Sequence, residues 1–479
     1  MRATICHWIV PLLAVITLSA CRDVVFRDRE LFNPPPEAAN GFLGYFDVGD
    51  KTTTCGNCHV GIQRDWEQTA HASAFATLEN SGQAQDFCRS CHTVNELGNA
   101  ATAAGGWNAV QDSVYHDVQC ESCHGPGLDH VQDPDATQPI PSIAVSFSED
   151  ASNGCAECHQ GSHHPFAEEW SQSAHAQPVG FILSRAESDF AHYGACLNCH
   201  TGQGALNSWG VVDEYLEQDD PISEYVGLTC AVCHDPHGST NDAQLRFPID
   251  VPILGDNLCM KCHYKRAAPE VAAETLRGPH SPEGPLLLGE GAGWIPPGFQ
   301  PEVERILSSH GSVGNQRLCA TCHVSSFTVT DQETGEFVFN ATGHLFLAIP
   351  CVDANGIPTT DQDCAVTERE FSGCTTSGCH AIADAARSAF VTANNRIQAL
   401  VDEVDALLLL VPAGELDRND GVFTVADGAW FNARLGELPG TPTHNPFLAE
   451  QLLVASIQVL KDTYGLSLPG SRVSLELMF

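Results

Sequence analysis

The sequence predicts a mainly α chain with extensive irregular loops, ordered around repeated cysteine–histidine motifs and closed by a helical C-terminal cap. Three observations carry this. Gly (41) and Pro (28) are plentiful in 479 residues, which favours turns over long regular elements. Eighteen of the 22 cysteines fall in nine spaced motifs, each ending in a histidine. After residue 380 the apolar residues take up helical spacing.

In chain order, the first element is a leader over 1–20. Its apolar run from Trp8 to Ala20 is too short to cross a bilayer and fits a signal-peptide core. It ends Leu18-Ser19-Ala20-Cys21, which resembles the lipobox of bacterial lipoproteins, and that resemblance makes Cys21 the lipidated first residue of the mature chain. Ordinary cleavage near Ala20 is the competing reading. Residues 21–50, with Pro34-Pro35-Pro36, read as a tether. The formal charge is −38, with only four lysines. Such a surface repels nucleic acid and anionic headgroups, so lipid is the expected anchor to the membrane and basic proteins the expected partners.

The next elements are three motif-bearing regions. Residues 50–135 carry Cys55/Cys58/His59, Cys88/Cys91/His92 and Cys120/Cys123/His124. Residues 150–240 carry Cys155/Cys158/His159, Cys196/Cys199/His200 and Cys230/Cys233/His234. Residues 241–380 carry Cys259/Cys262/His263, Cys319/Cys322/His323 and the longer Cys374/Cys379/His380. The first two regions look like a duplication. Each reads motif, Trp-x-x-x-x-His (Trp66/His71 and Trp170/His175), motif followed by Thr, then Tyr five residues before a third motif. Within 241–380, the stretch 328–339 alternates around Thr334-Gly335 and predicts a hairpin.

Eight of the motifs are Cys-x-x-Cys-His, where chance composition gives roughly 0.05. Two thiols at this spacing reach the two vinyl groups on one edge of a haem, and the following imidazole reaches its iron. Zinc or disulfides would use the thiols but would not require the invariant histidine. The expected cofactors are therefore nine covalently bound haem c groups. Cys351 and Cys364 remain as a disulfide pair across a surface loop.

What occupies the second axial position of each iron separates a carrier from an enzyme. Methionine is nearly excluded, since only Met260 and Met478 lie beyond the leader and Met260 sits inside a motif. Twelve histidines remain for nine positions. His71, His175, His116, His192 and His237 stand in the most suggestive contexts, and His130, His280, His310, His344 and His444 are the further distal candidates. His163 and His164 are adjacent, so at most one of them ligates.

The last element, 381–479, has no motif. Helices are expected over Ala381–Val411, over Val425–Leu435 and from His444-Asn445-Pro446 to about Asp462, with His444 reaching back to an iron. Asp417-Arg418-Asn419-Asp420-Gly421 reads as a solvated turn and not a calcium loop.

The phrases Val118-Gln119-Cys120-Glu121-Ser122-Cys123-His124-Gly125-Pro126-Gly127 and Cys230-Ala231-Val232-Cys233-His234-Asp235-Pro236-His237-Gly238 resemble multihaem c-type cytochromes. They are similar to the superfamily of the tetrahaem cytochromes of ammonia oxidisers and the multihaem conduits of metal-reducing bacteria. His444-Asn445-Pro446-Phe447 resembles C-terminal segments of other members, including pentahaem nitrite reductases. The resemblance implies a multihaem cytochrome c fold wrapped around a packed haem chain. It also implies an extracytoplasmic electron-transfer conduit in anaerobic or metal-linked respiration. Its partners would be other cytochromes or redox proteins, or an extracellular metal or mineral acceptor. No Cys-x-x-Cys-Lys occurs, so the lysine-ligated haem of most such reductases has no counterpart. The alternative is an oxidoreductase of nitrite, hydroxylamine or tetrathionate with one open iron. A carrier is the favoured reading, with no catalytic residue assigned.

Overall fold

The computed structural model describes residues 34–145, 154–218, 225–302, 310–331, 333–376 and 380–478. The leader, Cys21 and Cys379 lie outside the described residues.

Most helices before residue 380 are one or two turns long, and many of them are the motifs themselves. The amide of His59 donates to the carbonyl of Cys55, as do those of His124 to Cys120, His159 to Cys155, His234 to Cys230 and His263 to Cys259, at 2.9–3.1 Å. A single α-type turn puts residues i, i+3 and i+4 on one face. That is why a Cys-x-x-Cys-His segment presents two thiols and an imidazole together.

The two Trp-x-x-x-x-His segments are held alike. Trp66 ends α1 (Val60–Trp66), and its indole N–H donates to the Val118 carbonyl at 3.0 Å. Trp170 lies in α2 (Phe166–Gln172) and donates to the Leu228 carbonyl at 2.8 Å. The amides of Val118 and Leu228 return to the carbonyls of His71 and His175. Val118 and Leu228 each stand two residues before a third motif, so the duplication seen in sequence is also a duplication of contacts.

The part of the expected tether from Ala39 onward is packed: Ala39, Phe42 and Tyr45 are buried. Both oxygens of the Glu121 carboxylate accept from the backbone here and at Gly127, with Leu43, Gly44 and Gly127 N–H groups at 2.7–3.0 Å. Three antiparallel hairpins complete the described strands. They are β1 (Tyr45–Asp47) with β2 (Thr52–Thr53), β3 (Phe327–Thr330) with β4 (Phe337–Ala341), and β5 (Cys351–Val352) with β6 (Pro358–Thr359). The second turns at Gly335, whose φ of 72° favours glycine. Cys351 and Cys364 form a disulfide with Cα atoms 6.1 Å apart.

The largest apolar cluster among the described residues lies near the C-terminus, with smaller ones around Phe42, Val94 and Tyr115 and around Leu206, Tyr215 and Val232. The largest lies between α4 (Ala383–Leu408), α5 (Val425–Gly436) and α6 (Pro446–Tyr464), with α3 (Glu283–Leu288) packed beneath. Ile397, Leu400, Val404 and Leu407 interlock with Ala429, Ala433, Leu453 and Ile457. Small residues on α5 let the long helices approach. Thr424 caps α5, accepting from Asp427 N while the Asp427 carboxylate accepts from Thr424 N. Asn445 caps α6 ahead of Pro446 at its first position. Among the described residues no helix is long and apolar enough to cross a membrane.

Candidate functional site: paired imidazoles along the motif array

The motif histidines do not stand alone. His59 faces His130 with ring centroids 6.3 Å apart. His71 faces His159 at 6.2 Å, His124 faces His237 at 6.2 Å, and His175 faces His263 at 6.3 Å. His200 faces His280 at 6.0 Å, and His234 faces His344 at 6.5 Å. His310 faces His380 at 6.2 Å, and His323 faces His444 at 6.1 Å. Each of the eight pairs joins one motif histidine to one histidine outside the motifs. A metal–imidazole bond is about 2 Å, and a ring centre lies about 1 Å behind its nitrogen, so two rings on opposite sides of one metal stand about 6 Å apart. The pairs have that separation.

The other ring nitrogen is engaged as well. The Nδ1 atoms of His92, His124, His234 and His323 hydrogen-bond the carbonyls of Ala74, Pro139, Ala243 and Phe346 at 2.7–2.8 Å. Those of His130 and His310 reach the carbonyls of Thr137 and Thr443. A carbonyl only accepts, so Nδ1 carries the proton and the Nε2 lone pair is left for a metal. Burial pushes His159, His175, His344 and His444 down to about 4, which keeps these imidazoles neutral. For His263, burial acts in the same direction but is outweighed by the Glu283 carboxylate 3.2 Å from Nδ1, so this ring is shifted upward.

Neighbouring motifs meet through their thiols. Cys55 lies beside Cys120, Cys91 beside Cys158, and Cys155 beside Cys230. Cys199 lies beside Cys262 and Cys259 beside Cys319. Cys123 lies within electrostatic reach of Cys155, and Cys233 of Cys259. The motifs, named by their histidines, therefore run 59, 124, 159, 234, 263, 323, with the 92 motif branching at 159 and the 200 motif at 263. His310 continues the line to His380, since it bonds the carbonyl beside His444.

Two of the suggestive histidines, His116 and His192, are not brought opposite a motif ring among the described residues. His116 lies flat on Phe75 at 3.6 Å and against Trp107, and His192 is exposed beside Tyr193. Standing four residues before a motif places these side chains beside the motif turn, not across from its imidazole. His163 stacks on Phe337 at 4.5 Å. His164 is lowered by burial and then by the neighbouring His92 and His163. It was passed over because its adjacency to His163 made either choice arbitrary in sequence. The cue that singles it out is the repeat: His200, the middle motif of the second unit, takes its partner from the segment after the next unit's first motif, and His164 occupies the matching place for His92.

The donors fit haem and not zinc. Among the described residues, three or more metal-ligating atoms converge only at Asp213, Asp235 and His237, where Arg246 already bridges both carboxylates. No thiols cluster in a chelating group there or elsewhere in the described chain. Haem iron held by two imidazoles supplies one-electron exchange.

Comparison with known proteins agrees. A family described as cytochrome c554 and c-prime matches residues 54–125, and a doubled CXXCH motif family matches 224–268. Multiheme cytochrome MtrA of Shewanella baltica is 27% identical over 211 residues, 41% of this chain and 58% of its own. C-type polyheme cytochrome OmcB of Geobacter sulfurreducens is 24% identical over 309 residues, 56% of this chain and 35% of its own. The chain thus matches less than two thirds of the length of either relative. Among solved structures, Outer Cell Wall Cytochrome OcwA aligns with a TM-score of 0.49 and 20% identity, over 80% of this chain and 78% of that one. An undecaheme cytochrome from the S-layer of Carboxydothermus ferrireducens aligns at 0.45 and 19% identity, over 80% and 56%. The repeated attachment motifs, and the two families they match over 54–125 and 224–268, are those of multihaem c-type cytochromes.

Proposed function

We propose that this cytochrome is an exported, lipid-anchored electron conduit with nine haems, each iron held by two histidines. The observation that carries the reading is the set of eight facing imidazole pairs, which would hold eight irons from both sides and leave none of those eight open to a substrate. His92 with His164 makes the ninth pair, supported by their electrostatic proximity and by the repeat. The thioethers come from Cys55, Cys58, Cys88, Cys91, Cys120, Cys123, Cys155, Cys158, Cys196, Cys199, Cys230, Cys233, Cys259, Cys262, Cys319, Cys322, Cys374 and Cys379. Electrons enter from a redox partner, move along the motif line and leave to another cytochrome or a metal or mineral acceptor. Cys21 and the −38 charge support a lipid anchor facing the periplasm or cell exterior and a basic protein partner.

The test is the optical difference spectrum of the dithionite-reduced holoprotein with and without carbon monoxide. No shift is expected. A shift worth one haem would overturn full saturation and direct attention to His92, the motif histidine without a facing ring. Mass spectrometry should find nine haems, and Cys21→Ser should abolish incorporation of labelled fatty acid.

A further inference from the structure

His263 differs from every other motif histidine described. Its Nδ1 meets a carboxylate, Glu283 Oε2 at 3.2 Å, where His92, His124, His234 and His323 meet backbone carbonyls. The contact is built in. The Gly284 amide donates to the His263 carbonyl at 2.8 Å, and a Cβ at Gly284 would stand 2.8 Å from that carbonyl oxygen and 3.1 Å from Met260. The residue after Glu283 is thus pressed onto the motif turn, and α3 is anchored in turn by the Asn445 side chain at the Leu286 carbonyl.

The His263 motif is also one of two junctions in the array, the other being that of His159. Cys262 meets Cys199, Cys259 meets Cys319, and Cys233 lies close to Cys259. Three neighbouring motifs, those of His200, His234 and His323, converge on this one.

We propose that Glu283 is a positioning residue that acts through His263 to make the haem held between His263 and His175 the lowest-potential station of the array, at one of its two junctions. This rests on the paired-imidazole reading above. A carboxylate accepting the Nδ1 proton raises the basicity of the ligating nitrogen, and its negative charge favours the ferric over the ferrous ion. Both effects have the same sign. Reduction adds one electron to one iron, breaks no bond and moves no proton from the pair. At intermediate poise this station is the last to fill, so electrons reach either arm by crossing a site that stays oxidised.

The test is a spectroelectrochemical titration of the holoprotein beside Glu283→Gln and Glu283→Asp. In the Gln variant one haem's share of the amplitude should move from the low-potential end to higher potential. Its oxidised-to-reduced ratio at fixed poise should fall about tenfold, a 59 mV shift for one electron. Asp, which keeps the charge but withdraws it, should shift the same component less and carries the test if Gln fails to load haem. An unchanged titration with a low-spin, carbon-monoxide-silent spectrum would overturn the role of Glu283. A carbon-monoxide-reactive haem in the wild-type protein would instead overturn the paired-imidazole reading on which it rests.

Discussion

At the scale of single residues, opposition of two rings marks a ligand more reliably than sequence context does. His444 is buried, faces His323 and has no hydrogen-bond partner on its Nδ1. Replacing it by Ala should open one iron and create a carbon monoxide difference spectrum worth one haem. His192→Ala should leave the spectrum unchanged, because the exposed ring faces no motif. Glu121 predicts a pH dependence. Burial raises its carboxyl from 4.5 to about 7, against three backbone N–H donors that lower it. Between those values the folded protein holds a proton that the unfolded chain has released. Its contribution is therefore fullest below 4.5 and declines as pH rises through 7, by about 3 kcal/mol at most. Thermal melts of wild type and Glu121→Ala should converge with rising pH over that window. The covalent and proximal positions were legible because their chemistry fixes their spacing. Which outside histidine faces which motif was not, since a partner such as His344 lies over a hundred residues from His234 and only the fold brings them together.

At the scale of elements, the C-terminal helices were readable because their burial follows a 3.6-residue period. Ala381–Val411 became Ala383–Leu408, and Val425–Leu435 became Val425–Gly436. The short helices around the motifs have no such period, because their apolar side chains face the motif array instead of a neighbouring helix. The cap carries ordinary core energetics. Leu400→Ala, at a fully buried position, should cost about 2–5 kcal/mol. Arg396 pairs with the buried Glu450 at 2.7 Å, and Glu450 also accepts from Met478 N. Arg396→Met removes the buried carboxylate's cationic partner and should cost about 3–5 kcal/mol, read as a lowered melting temperature. Should either variant melt like wild type, the cap is not an independent contributor to stability. Close approach matters between units too. Gly238, with φ of 115°, lies where a Cβ would be 2.7 Å from the Asp65 carbonyl, next to the distal His237.

At the scale of the whole molecule, charge and connectivity decide behaviour. With a net charge of −38, association with a basic redox partner should slow steeply as ionic strength rises, measurable by stopped-flow reduction at several salt concentrations. A rate independent of salt would mean that the docking face is not the acidic surface. The duplication of 50–135 in 150–240 was visible as a repeated word order. That the motifs of His263 and His323 meet as the first and third motifs of those regions do was not, because the spacing between them is stretched. The thiol contacts reveal it: Cys259 meets Cys319 as Cys155 meets Cys230 and Cys55 meets Cys120.

The facing pairs cross the unit boundaries. His71 of the first copy serves the motif of His159, and His175 of the second serves that of His263. In the other direction, His237 and His344 reach back to His124 and His234. Every copy is thus finished by its neighbours, like courses of bonded brickwork. Such a wall can be lengthened by inserting another course but cannot be parted at a joint without exposing raw metal on both sides. It also needs quoins at its ends. At one end His59 is served from within its own unit by His130, and at the other the motif-free tail lends His444 to His323. The tail thus takes, opposite His323, the place that the next region's His344 takes opposite His234.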